Sequence, residues 1–258
     1  MESQDKISYI KEMPDGWLKT KGKYIFLYIQ KPVLESDNVI TCFRDGKVTL
    51  RANRREDGFT VSEKEIGYQG IDVGDLVVHG MDGFAGAIGI SDSRGKASPV
   101  LNVLETKQSK KYYMYFMRNM AAEGVFIALA TGIRVRTCDT NWEKLRDIYY
   151  LVPPLSEQKA IADYLDDKCG QIDEIAKIIE EQIATLEQYK RSIITEKVTK
   201  GLDSDVPMKD SGIEWIGDIP EHWEVIRNKY LFDLDKEIVG RNWSDTQLLS
   251  LTKNGVKK

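Results

Sequence analysis

Arginine carries most of the chemistry legible in this chain. Its planar guanidinium donates in a fork that matches a phosphate, or the acceptor edge of guanine, two bonds at a time. RANRRE places Arg51, Arg54 and Arg55 just after a strand candidate, and with Arg44 and Lys47 it puts five basic residues within twelve positions. Gly132-Ile133-Arg134-Val135-Arg136 alternates, so both arginines share one face if the chain is extended. Arg94, Lys96, Lys107, Lys110, Lys111 and Arg118 form a further group. The candidates for contact with nucleic acid are Lys47, Arg51, Arg54, Arg55, Arg94, Lys96, Lys110, Lys111, Arg134 and Arg136. The net charge of −4 conceals a division: residues 1–154 hold 22 basic against 20 acidic side chains, and residues 155–258 hold 15 against 21. A polyanion needs a local positive face, not a positive total.

Residues that would do covalent chemistry are scarce. The single Pro-Pro, Pro153-Pro154, lies between Val152 and Leu155, without the Asn/Asp-Pro-Pro-aromatic pattern of an amino-methyltransferase. There is no GxxxxGK[ST] phosphate loop, and GMDGFAGAIG (Gly80, Gly83, Gly86, Gly89) lacks dinucleotide-site spacing, so it is expected to form turns. Two histidines, His79 and His222, are too few and too distant for a histidine-based metal site. Asp72, Asp75 and Asp82 are the right residue type to hold magnesium, but no lysine stands near them in sequence. No catalytic residue and no metal ligand is expected. Cys42, Cys138 and Cys169 read as reduced thiols of a cytoplasmic protein. No apolar run approaches the roughly 18 residues that span a bilayer.

The elements that must position these residues change character at Pro153-Pro154. Before it, short strand candidates (Val39–Phe43, Lys47–Leu50, Asp75–His79, Ala87–Ile90, Val100–Leu104, Ile148–Val152) mix with a helix over Lys110–Ala122 and a short one at Trp142–Arg146. Asp45-Gly46 is a two-residue hairpin signal. Strands and helices without a βαβ rhythm predict an α+β domain. Tyr112, Tyr113, Tyr115 and Phe116 are expected in its core. After the break, Ser156 is the expected N-cap of a helix over 157–200, free of proline and containing only Gly170. Leu165, Ile172, Ile179, Leu186 and Ile193 recur every seven residues, a coiled-coil stripe on a rod of roughly 65 Å. Gly201 is the expected stop, and a polar linker follows.

The most informative pattern is internal. MPDGWLKTKGKYIFLYIQK from Met13 matches IPEHWEVIRNKYLFDLDKE from Ile219: Pro14 with Pro220, Trp17 with Trp223, Lys23-Tyr24 with Lys229-Tyr230 and Phe26 with Phe232, all 206 residues apart. A constant offset of this size marks a duplicated domain, whose second copy is incomplete at Lys258.

LVPPLSEQKAIADYLDDKCGQID (Leu151–Asp173) resembles the opening of the spacer helix in type I restriction-modification specificity subunits. KDSGIEWIGDIPEHWEV (Lys209–Val225) resembles the start of a target-recognition domain in the same family. The resemblance covers the whole chain. It implies a target-recognition domain at 1–154, a coiled-coil spacer helix at 155–200, a linker at 201–218 and an incomplete second target-recognition domain at 219–258. It implies a non-catalytic subunit that reads double-stranded DNA at a bipartite target and directs methyltransferase and restriction subunits to it. Those partners are expected to use S-adenosylmethionine, ATP and magnesium, with no cofactor on this chain. A full-length member has two recognition domains and two spacer helices. One of each implies a homodimer, or pairing with another specificity chain through Leu165, Ile172, Ile179, Leu186 and Ile193. The alternative is a truncated assembly or decoy protein that pairs through its helix without reading DNA.

Overall fold

A computed structural model describes residues 13–54, 66–128, 140–234, 247, 249–253 and 255–257. In chain order the elements are β1 (Leu18–Lys21), β2 (Leu27–Ile29), β3 (Ile40–Cys42), β4 (Val48–Leu50), β5 (Gln69–Ile71), β6 (Leu76–His79), β7 (Ile88–Ile90), β8 (Gly95–Ala97), β9 (Leu101–Glu105), α1 (Lys110–Ala122), α2 (Val125–Ala128), α3 (Trp142–Leu145), β10 (Tyr149–Val152), α4 (Leu155–Lys200), β11 (Met208–Asp210), β12 (Asp218–Pro220), β13 (Ser250–Thr252) and β14 (Gly255–Lys257). The mixture is α+β with one long helix, as the sequence predicts.

The first compact unit is Met1–Ile175. Its centre is an antiparallel sheet in the order β2-β9-β6-β7. Successive side chains of a strand point to opposite faces, and here both faces are buried. Leu76, Val78 and Leu104 face a core built from Phe26, Tyr113, Met117, Met120, Leu145 and Tyr150. Val77, Leu101 and Val103 face a second core with Ile40, Cys42, Val48, Ile71 and Ala97, supplied by the pairs β3-β4 and β5-β8. Burial in that second core pushes the Cys42 thiol up to about 12, so it stays protonated. Of the four aromatics expected inside, Tyr112 and Tyr113 are buried, whereas Tyr115 and Phe116 are half-buried. Tyr115 donates to Asp166 Oδ1 at 2.8 Å.

The helix start differs from the expectation by a turn of logic. α4 begins at Leu155, and the Pro154 carbonyl already accepts from Glu157 N and Gln158 N at 2.9 and 3.0 Å, so Ser156 lies in the first turn instead of capping it. Gln158 is fully buried. It accepts from Ser109 N (3.1 Å) and donates to Gln108 Oε1 and Pro153 O (both 2.8 Å). These bonds hold the opening turns of α4 within the first unit, which is why that unit extends past the Pro-Pro break. Gly201, with φ of 77°, ends the helix as expected.

The second unit is Ala176–Lys258. Part of the expected linker is ordered as a hairpin, β11 against β12. β13 pairs with β14. Among the described residues no helix is long and apolar enough to cross a membrane.

Candidate nucleic-acid interface

The first basic cluster folds into one place. β3 and β4 pair with Cys42 opposite Val48, and Phe43 N donates to Lys47 O at 2.8 Å. Gly46 N then reaches Phe43 O at 2.9 Å with Gly46 at φ 88°, so the loop has three residues (Arg44, Asp45, Gly46) and not two. A side chain at Gly89, on β7, would overlap the Gly46 carbonyl, so the two backbones touch. Arg44, Arg51 and Arg54 line a hollow of about 760 Å³ together with Phe43, Asp45, Tyr68, His79 and Asp82. Lys47 is exposed on the same hairpin.

Each wall of the hollow is set by a specific contact. Arg54 is paired with Asp45 at 2.6 Å, and its guanidinium lies over the Phe43 ring, 4.5 Å from the centroid. Burial works against the Asp45 charge, but the Lys47 N–H and Arg54 hold its carboxyl below the ordinary value. Arg51 Nε reaches Thr41 Oγ1 at 3.4 Å. Arg44 Nη2 donates to Asp82 Oδ1 at 2.9 Å while its side chain stays 67% exposed. The backbone N–H groups of Met81 and Asp82 both donate to His79 Nδ1, at 3.2 and 3.0 Å. That fixes the tautomer, with the proton on Nε2, and burial keeps the imidazole below its usual 6.5. The arrangement is a row of hydrogen-bond donors carried on rigid backbone, with aromatic faces beside it.

Of the second basic group, Arg94, Lys110 and Lys111 are engaged by carboxylates of the fold, whereas the Arg118 guanidinium lies against the hairpin at Gly46. Arg94 donates to both oxygens of Asp37 (3.0 and 2.8 Å), to Asp72 at 2.5 Å and to the Pro32 carbonyl at 3.0 Å. Lys31, which the sequence does not single out, bonds Asp72 and Asp75 at 2.7 Å each. Lys110 pairs with Glu105 at 2.8 Å and approaches Asp75 at 3.9 Å. Lys111 pairs with Asp166 of α4. These cations neutralise carboxylates of the fold itself, two of them, Asp37 and Asp75, buried. Asp72 and Asp75 therefore do meet a lysine, brought from 41 and 44 positions away. Lys96 lies half-buried on β8. Arg55, Arg134 and Arg136 lie outside the described residues. Tyr68, His79 and Asp82 were missed as lining residues. For His79 and Asp82 the one signal is an acid three residues after a histidine in a glycine-rich turn; Tyr68 carries none.

Along α4, Leu165 is half-buried at the rim of a second hollow, about 1080 Å³, lined by Tyr112, Tyr115, Phe116 and Ile161. Ile172, Ile179, Leu186 and Ile193 are 64%, 49%, 64% and 37% exposed. The seven-residue repeat thus leaves an apolar stripe exposed along α4.

The architecture is an α+β domain with a donor-lined hollow, continued into a single long helix. The same fold occurs in a solved structure of complex assembly and conformational transition of the type I R-M system, with a TM-score of 0.52 at 16% identity over 76% of this chain and 49% of that one. In sequence, the chain is 25% identical over 243 residues to the putative type I restriction enzyme MjaX specificity subunit of Methanocaldococcus jannaschii, covering 87% of this chain and 55% of the relative. It is 37% identical over 83 residues to the MjaVIII specificity subunit of the same organism, covering 32% of this chain and 18% of that one. No protein-family model matches. The chain is thus related to type I specificity subunits, as its motifs imply, and spans about half the length of MjaX.

Proposed function

We propose that this chain is a non-catalytic, sequence-specific DNA-binding subunit of a cytoplasmic type I restriction-modification assembly. The observation that carries the reading is the hollow in which Arg44, Arg51 and Arg54 meet beside Phe43 and Tyr68. Phosphates and base edges are recognised by such donors, and aromatic faces stack on bases. Methyltransferase and restriction subunits are the proposed protein partners, and S-adenosylmethionine, ATP and magnesium belong to them in this scheme. Two copies of the chain, joined by antiparallel α4 helices through the exposed stripe, would present two equivalent reading surfaces and favour an interrupted palindrome. The same stripe also supports the other reading, an assembly protein that pairs without reading DNA. Light scattering, followed by selection of duplexes from a randomised pool with the methyltransferase subunit present, separates the two. A dimer that enriches a split palindromic motif is expected. Complex formation with no enriched motif would leave only the assembly reading.

A further inference from the structure

The hollow contains a smaller unit more specific than a basic patch. Arg44, Asp82 and His79 form a connected chain: the Asp82 carboxylate holds Arg44, and the Asp82 backbone N–H holds His79. Each link removes a freedom that would otherwise be lost on binding. Arg44 is held at Nη2, stays largely exposed and lines the same hollow as Arg54, which is fixed between Asp45 and Phe43. His79 has spent its acceptor nitrogen, Nδ1, on two backbone donors, so its other ring nitrogen carries the proton, and the residue lines the hollow. The face is therefore donor beside donor.

Only one purine edge answers that pattern. In the major groove guanine offers two acceptors, N7 and O6, whereas adenine sets a donating N6 amino group beside its N7. Against adenine, one donor of the hollow would face another donor and lose its water without compensation. The second carboxylate oxygen of Asp82 receives no donor among the described residues, and suits the N4 amino group of the paired cytosine.

We propose that Arg44 and His79, joined through Asp82, read a guanine of one G·C pair in the target. Arg44 takes N7 and O6 as a fork, and His79 reinforces the acceptor pattern. This rests on the DNA-reading function proposed above. The test uses the full chain with its methyltransferase subunit and a randomised duplex pool. Wild-type protein should enrich a motif with an invariant guanine at one position. R44K keeps the charge and loses the fork, so it should bind DNA with a similar salt dependence yet lose discrimination at that position by roughly ten- to a hundredfold. H79F should relax the same position and no other. Replacing that guanine by 7-deazaguanine, which lacks the N7 acceptor, should weaken the wild type and leave R44K unchanged. A motif that survives intact in both variants, or that loses a different position in each, overturns the guanine pair while leaving DNA reading in place. A wild-type chain that enriches no motif overturns the DNA-reading function itself. Circular dichroism of each variant verifies that the fold is kept.

Discussion

The two copies of the repeated segment experience different surroundings, and their geometry separates what is local from what is not. In both copies the same turn forms: Trp17 N reaches Pro14 O at 3.2 Å, and Trp223 N reaches Pro220 O at 2.9 Å. The same short 3-10 helix follows, Gly22–Tyr24 and Asn228–Tyr230, again 206 residues apart. Each is entered from an extended residue and left through one in the right-handed helical region. The strands are not reproduced. Leu18–Lys21 is β1 because β10 pairs with it, whereas residues 224–227 form no strand and pair with none among the described residues. Phe26 is 4% exposed, edge-on to Tyr113 and Tyr150 at 4.9 and 5.2 Å, while its counterpart Phe232 is 73% exposed. Turns and 3-10 bonds close over three or four residues and need only local sequence. Strand pairing and burial need a distant partner.

The largest expected effect tests that contrast directly. Phe26→Ala should cost about 3–5 kcal/mol, because it empties the centre of a packed aromatic cluster. Phe232→Ala should stay within about 0.5 kcal/mol. Urea denaturation of both variants decides it; equal losses would mean that the second copy has a core of its own.

Acid should act on the first unit through the ion pairs that follow its copy. The Arg94 hydrogen bonds hold the Asp37 carboxyl below its ordinary 3.8, and those from Lys31 and Arg94 do the same for Asp72. A depressed folded value means stability that is present above about pH 4 and is lost as pH falls through the folded values. Arg94→Met should remove roughly 2–3 kcal/mol at neutral pH by leaving Asp37 buried beside no cation, somewhat below the full cost of orphaning a buried charge because Arg94 is 31% exposed. Melting temperatures from pH 7 to pH 2 should show a flatter acid limb for the variant. An unchanged limb would place the acid sensitivity elsewhere.

The smallest effect concerns the repeated tryptophans. Trp17 Nε1 donates to Glu157 Oε2 at 3.0 Å at an exposed site. Trp17→Phe should cost no more than about 1 kcal/mol, and much of that should vanish in Glu157→Ala, which removes the acceptor. A double-mutant cycle without coupling would assign the indole a packing role alone.

What the sequence revealed follows the same division. α1 appears at its expected bounds because its aromatic and methionine face is periodic and Ser109 caps it. α4 was legible from the Pro-Pro break and the heptads. The hairpin position was legible from Asp45-Gly46, though its loop has one residue more. The ion network was not, since Lys31 and Asp72 lie 41 residues apart and Arg94 and Asp37 lie 57 apart. Proximity in sequence grouped Arg94 and Lys110 with the other cations, and only the fold shows which carboxylates they answer. His79 was passed over because a single histidine carries no pattern until its Nδ1 is seen to be occupied.

The contact between Gly89 and the Gly46 carbonyl bears on how this surface can diversify. Lengthening the β3–β4 loop, or placing any side chain at Gly89, would prise the hairpin from the sheet. Exchanging the side chains at 43, 44, 51 or 54 leaves that seam untouched. Under the proposed DNA-reading function, selection for a new target is thereby steered towards substitutions on a fixed loop and away from insertions, so descendants of this chain should differ in which bases they prefer more readily than in where on the scaffold they hold them.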